Sequence, residues 1–202
     1  MKQHDKPDTH ADPTPRRKFL THGMKLSAVA IGILGGLPLR VAAAAHKEKQ
    51  GNQDLAILNV ALELEHEGIA AYQIGAGSGL LTAPLLEVAT LFMHHHEGHR
   101  QTLINAIEQL GGKPAAALPL DQYKQSAKLD VKSIKSESDV LLLAQRLELG
   151  AINAYLGVMP VFDNRDLSQV AGRLVADETM HYTALTQALG QPLPSKTLSF
   201  GS

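Results

Sequence analysis

Leu64-Glu65-His66-Glu67-Gly68-Ile69-Ala70-Ala71-Tyr72 returns later in the chain as Leu147-Glu148-Leu149-Gly150-Ala151-Ile152-Asn153-Ala154-Tyr155. Each copy is followed by a stretch with His at matched spacing: His96-x-x-His99-x-x-x-Leu103, then Glu178-x-x-His181-x-x-x-Leu185. The offset is 83 residues for the first pair of segments and 82 for the second, so one two-element unit occurs twice. Acidic residues inside apolar periodic stretches are costly to bury unless a cation holds them. Two copies of such a unit could close a dinuclear metal centre inside a helix bundle.

The stretches around these motifs read as helices. From Gln53, apolar residues recur at helical spacing through Leu55, Leu58, Leu62 and Ile69, and Gly75, Gly77 and Gly79 end the run. Pro84 suits the first turn of a second helix reaching Leu110, closed by Gly111-Gly112 and Pro114. Residues 113–136 show no sustained period and form a long crossover, with room for a short helix around Leu120 to Ala127. Ser136 to Asp139 caps a third helix that Pro160 stops, and a fourth follows Asp163, Asn164 and Asp166 and ends near Leu189-Gly190. The expected fold is therefore all-α: a four-helix bundle, residues 53–190, with one long crossover between helices two and three. Residues 46–52 should be a flexible lead-in, and 191–202 a tail that is docked or loose.

Helix geometry decides which side chains can meet. At about 100° per residue, Glu65 and Tyr72 fall within about 20° of one another, as do Glu148 and Tyr155. His96 and His99, like Glu178 and His181, are neighbours at i,i+3. Ligand-type residues thus occupy the stripes where a core would carry Leu or Ile. Taken singly, each fits a solvated face or a satisfied core polar group; taken as a set repeated in register, they point to metal. Oxygen-rich sites with a few imidazoles suit Fe or Mn. Tyr72 and Tyr155 could hydrogen-bond a ligating carboxylate, take part in electron transfer, or simply pack. His94 and His95 read as surface or supporting residues, with His95 and His99 spaced to grip a surface ion. Glu63, Glu67, His66 and Asp177 should face water or neighbouring helix ends, and Lys124 to Lys135 should be a solvated crossover.

These motifs resemble the ferritin-like superfamily of di-iron and di-manganese carboxylate proteins, in particular its exported members. The resemblance covers about Gln53 to Leu189. It implies that helices one and three each give a Glu, followed by Tyr in many members, while helices two and four each give Glu-x-x-His. Glu65 with Tyr72, Glu148 with Tyr155, and Glu178 with His181 match. Helix two departs: His99 fits, but His96 stands where the family has Glu, and Glu97 lies about 200° around the helix from His99. Either His96 replaces the carboxylate or helix two supplies one ligand only. The implied metal set is Glu65, His96, His99, Glu148, Glu178 and His181, with Tyr72 and Tyr155 beside it.

The N-terminus reads as an address. Thr14-Pro15-Arg16-Arg17-Lys18-Phe19-Leu20 precedes a Gly/Ala-rich apolar run from about Gly23 to Leu39, then Ala42-Ala43-Ala44-Ala45. That order fits a secretory signal over residues 1–45, and the paired arginines favour the twin-arginine export machinery and a periplasmic destination. Removing it takes away 7 of 19 basic and 3 of 20 acidic residues, leaving a net charge of −5 with His neutral. An acidic chain excludes the basic surface of a nucleic-acid binder and gives no reason to expect a membrane partner after processing. Cysteine is absent, which removes disulfides, thiolate metal sites and thiol nucleophiles.

The leading expectation is a bundle holding two Fe or Mn ions, with oxidoreductase or peroxide-detoxifying chemistry on peroxide or dioxygen. The alternatives are a metal-binding or storage module without turnover, and a metal-free structural or stress-response bundle. A small homo-oligomer is expected rather than a cage.

Overall fold

The computed structural model describes residues 50–201. The expected leader, residues 1–45, and most of the lead-in before Gln50 lie outside the described residues. Four long helices carry the fold: α1 (Gln50–Ala76), α2 (Ala83–Gln109), α4 (Glu137–Val158) and α5 (Arg165–Ala188). Between α2 and α4 the crossover holds only the short α3 (Leu120–Lys124) and a 3-10 turn at Val131–Ser133. No strand occurs among the described residues. The helix expected from Gln53 starts at Gln50, so residues 50–52 are helical rather than part of a flexible lead-in.

Local chemistry sets the boundaries. Pro84 occupies the first turn of α2, where its missing N–H costs nothing. The Ser136 hydroxyl accepts from the Asp139 amide at 3.2 Å and caps α4; the Asn164 side chain accepts from the Asp166 amide at 2.9 Å and caps α5. Helices α2 and α5 end alike. Gly111 and Gly190 take φ of +74° and +66°, and the next residues, Gly112 and Gln191, bond back to Ile107 and Thr186. That is a Schellman ending, which needs a left-handed residue and therefore favours glycine. Asp54, buried near the start of α1, accepts the Asp163 and Asn164 amides at 3.0 and 3.1 Å and ties the α4–α5 link to the bundle.

Most contacts join α1 to α2 and α4 to α5, and the two hairpins meet chiefly through α1 and α4. Their core splits into layers. Leu58, Leu62, Leu103, Ile107, Tyr155 and Leu174 fill one end. Tyr72, Phe92, Leu141, Ala144 and Leu185 fill the other. Along every helix the residues between these two clusters are the acids and imidazoles of the repeated motif. Leu129, on the crossover, plugs against Ala71 and Leu143 and holds that segment on the α1–α4 face. The C-terminal tail is docked: the Gly201 amide donates to Asn153 Oδ1 at 2.8 Å, and Phe200 meets Tyr182 edge-on.

Candidate metal centre

Glu65, His96, His99, Glu148, Glu178 and His181 converge in the polar middle layer, each less than a tenth exposed. Their ligand atoms form two groups, Glu65–His96–His99–Glu178 and His96–Glu148–Glu178–His181, each with all atoms within 4.8 Å of one another. His96 and Glu178, the equivalent positions of the two repeats, belong to both groups. His96 lies between the outer acids, with Nδ1 2.7 Å from Glu65 and Nε2 3.3 Å from Glu148. It stands in the place the repeat assigns to a carboxylate and presents one nitrogen to each side. Gly68 makes room for it: a Cβ there would come within 3.3 Å of the His96 ring.

The tyrosines pair crosswise. Tyr72 on α1 donates its hydroxyl to Glu148 on α4, and Tyr155 on α4 donates to Glu65 on α1. This crossing fixes α1 and α4 as antiparallel neighbours. A second crossing lies behind the imidazoles. His99 Nε2 donates to Asp177 of α5 at 3.2 Å, and His181 Nε2 is hydrogen-bonded to His95 of α2 at 2.9 Å. Both imidazoles thereby turn Nδ1 toward the centre, where His99 Nδ1 lies 3.1 Å from Glu178 and His181 Nδ1 3.2 Å. Phe92 stacks on the His181 ring with centroids 4.1 Å apart and fixes its plane.

Charge in this layer is strongly redistributed. Burial alone would raise the Glu65 carboxyl, but the His96 and His99 imidazoles outweigh it and hold it at about 2. Burial works the same way on Glu148, which His96 and His181 bring well below the usual range. Glu178 moves the other way, because burial with Glu148 beside it exceeds what the imidazoles return. Burial opposes the charged form of His99, yet Glu178 and Glu65 push it up to about 10; His96 and His181 are raised by their carboxylates in the same way. Burial and Glu148 raise the Tyr72 hydroxyl, and burial and Glu65 raise that of Tyr155, so both remain protonated donors.

Three buried atoms at the centre, His99 Nδ1, Glu148 Oε2 and Glu178 Oε1, make no well-formed hydrogen bond and meet only as ion pairs, His99 Nδ1 with Glu178 Oε1 at 3.1 Å and Glu148 Oε2 with His181 Nδ1 at 3.5 Å. Buried polar atoms are rarely left so unless something else satisfies them. Here all three sit within the two groups, on donor types that suit Fe or Mn. The residues fit a metal.

Several expectations need correction. His66 does not face water: it is buried, and its Nε2–H donates to the Ala115 carbonyl at 3.1 Å, because the crossover lies over α1 there. Glu67 is half-buried and paired with Lys128 at 2.8 Å, so the lysine-rich crossover is not wholly solvated. Asp177 is exposed, as expected of a water-facing residue, yet it also holds His99. His95 turns to His181 instead of joining His99 around a surface ion. Glu63 is exposed, and Glu97 pairs with His94 on the outside at 3.0 Å. The supporting roles of His95 and Asp177 had a signal in the chain: they occupy equivalent positions, one residue before His96 and Glu178.

The ferritin-like domain family matches residues 53–191. This chain belongs to that family. Among solved structures it is similar to a conserved hypothetical protein from Mycobacterium tuberculosis, rv2844, at 22% identity and a TM-score of 0.61, covering 73% of this chain and 98% of that one. It is also similar to a dodecameric thioferritin, the bacterioferritin-related protein of Bacteroides fragilis, at 20% identity and a TM-score of 0.54, covering 69% of this chain and 86% of that one. At such identity the likeness speaks for the fold alone. No functionally curated protein matches the sequence.

Proposed function

We propose that this is an exported ferritin-like protein that holds two Fe or Mn ions and uses them in oxidoreductase or peroxide-removing chemistry. The observation that carries the reading is the pair of buried four-residue groups joined through His96 and Glu178. In this reading Glu65 and His99 would hold one ion and Glu148 and His181 the other, with His96 and Glu178, which belong to both groups, available to either. His96 replaces the carboxylate that helix two lacks. Bound there, such ions would supply a redox couple and Lewis acidity toward a small oxygen species. The chain's own residues do the rest. Tyr72 and Tyr155 hold the outer carboxylates in place as donors, while Asp177 and His95 orient the imidazoles from behind.

Export rests on Arg16-Arg17 and the apolar run after them, and a periplasmic location follows from that proposal. Assembly into a homo-oligomer belongs to the same reading; the Bacteroides protein is dodecameric. The test is elemental analysis of the protein purified from its export compartment, beside a Glu148→Ala variant. Two transition-metal ions per chain, falling by at least one in the variant with helicity kept, support the proposal. A protein without metal, or a variant that keeps both ions, overturns it.

A further inference from the structure

Helix α4 carries a second apolar stripe besides the one it turns to the core. Leu142, Leu149 and Leu156 follow one another at seven-residue spacing, which keeps each within about 20° of the last on one side of the helix. Leu142 is 42% exposed, and Leu149 and Leu156 are half-buried. A helix that is apolar on more than its core side is one that something else covers. Part of that cover is the C-terminal tail. Gln145 on α4 donates to Gln191 at 2.9 Å where the tail begins. At the far end the Gly201 amide meets Asn153, and a Cβ at Gly201 would come within 3.1 Å of Leu156. Phe200 packs on Tyr182 of α5, so the tail lies along the α4–α5 side. Rather than hiding the stripe, it adds two leucines: Leu193 is 49% exposed and Leu198 is 88% exposed. Leu198 also takes φ of +54°, a left-handed backbone that a leucine adopts only at a cost.

The same side is almost free of charge. From Leu147 to Phe162 the one charged residue is Glu148, which is buried at the centre. From Thr179 to Gly201, Lys196 is the one Lys, Arg, Asp or Glu. Arg146 turns away from this side and donates to the Lys128 carbonyl on the crossover at 2.9 Å. Without residues 1–45 the chain has a net charge of −5, so two copies repel where their ordinary surfaces approach. Here they can meet without that repulsion, and a partner selected by charge would find almost nothing to grip. A two-fold contact repeats one patch on both copies, and an uncharged apolar patch is complementary to itself.

We infer that the α4–α5 side, with the tail lying on it, is the contact surface for a second copy of this chain, in a two-fold dimer that buries Leu198 of each copy. The inference names the surface for the self-assembly proposed above and rests on that reading. Its test is sedimentation velocity on the processed chain over a range of concentrations, where the parent should be a dimer. Leu198→Asn keeps a residue that tolerates the left-handed backbone and removes the apolar side chain. It should raise the dimer dissociation constant by about tenfold or more with helicity unchanged, since an exposed position leaves the core intact. Leu91→Asn, on α2 one turn before His95, alters a leucine 51% exposed on another side and should leave the constant as it is. The chain has no cysteine, so single-cysteine variants can carry a spin label at one chosen place. Pulsed EPR should give a shorter distance between copies from Thr197→Cys than from Gly98→Cys, an open position on α2 where a Cβ meets nothing within 4 Å. A parent dimer that Leu198→Asn leaves unchanged, or the reverse order of distances, overturns the inference and leaves self-assembly standing. A parent that is monomeric at every concentration overturns both. Tail amides that gain protection from hydrogen exchange in a monomer retaining residues 1–45 would give this side to the leader instead, and also overturn the inference.

Discussion

The hydroxyl of Tyr72 on α1 donates to the carboxylate of Glu148 on α4, in the other half of the chain. His96 Nε2 lies 3.3 Å from the same oxygen, Glu148 Oε1. Tyr72→Phe removes the donor and nothing else from a buried acid. The metal-free protein should lose about 1–3 kcal/mol in urea unfolding, the cost of leaving such a group unsatisfied. Metal stoichiometry should stay at the parent value. Unchanged stability would show that this hydroxyl packs without supporting the carboxylate.

His96→Glu restores the carboxylate that the repeat places there. Two divalent ions would then face four acids instead of three, and the charges would cancel. Without metal, four clustered carboxylates would have lost the imidazole lying between Glu65 and Glu148. The variant should be less stable than the parent when metal-free, and should bind its second ion about tenfold or more tightly by calorimetry, since coordinating charge sets cation affinity. Weaker binding of both ions would mean that His96 is itself a necessary ligand.

The metal-free protein should lose stability toward alkaline pH. His99 is raised to about 10 in the fold, so its contribution is complete below the ordinary histidine range and disappears as pH climbs through 10. Glu65 is lowered to about 2, so its contribution is present above the ordinary carboxylate range and is lost as pH falls toward 2. Thermal unfolding of metal-free protein should therefore show Tm falling from neutral pH to pH about 10. Metal must displace protons from these imidazoles, so loading near neutrality should release protons and apparent affinity should rise with pH. Calorimetry in buffers of different ionisation enthalpy measures that release; none would place the protons elsewhere.

The two imidazoles are held by unlike partners: His99 by Asp177, His181 by His95. Asp177→Ala should lower affinity in the Glu65–His99 half by about 10–100-fold, the usual effect of removing an orienting partner. His95→Ala should act on the Glu148–His181 half. Competition with a chelator can resolve the two binding steps; if either variant weakens both steps equally, the halves are not distinct.

The helices and the converging acids were legible in the sequence because a repeat at fixed offset constrains two faces at once. One Glu-x-x-His says little, whereas Glu65 and Tyr72 echoed by Glu148 and Tyr155 say which face turns inward. The same repeat contained His95 and Asp177, but their types suited water as well as support, and only the antiparallel placement of α2 against α5 decides between them. On sequence alone His66, Glu67 and Lys128 belong in water; they are instead buried or paired, because their environment depends on where an aperiodic crossover settles. Periodicity does not carry that information; Leu129 buried against Ala71 and Leu143 does.

Neither hairpin can finish its own half of the polar layer. Tyr72 serves Glu148, Tyr155 serves Glu65, Asp177 serves His99 and His95 serves His181, so every support comes from across the seam. The chain behaves as a tethered dimer whose two protomers happen to share one backbone. Cutting it within residues 113–119, beyond α2, should yield fragments that gain order only on meeting each other. A lone hairpin would bury its acids and imidazoles without the hydroxyl, carboxylate and imidazole donors and acceptors that the other half supplies, which is reason enough for it to stay unfolded.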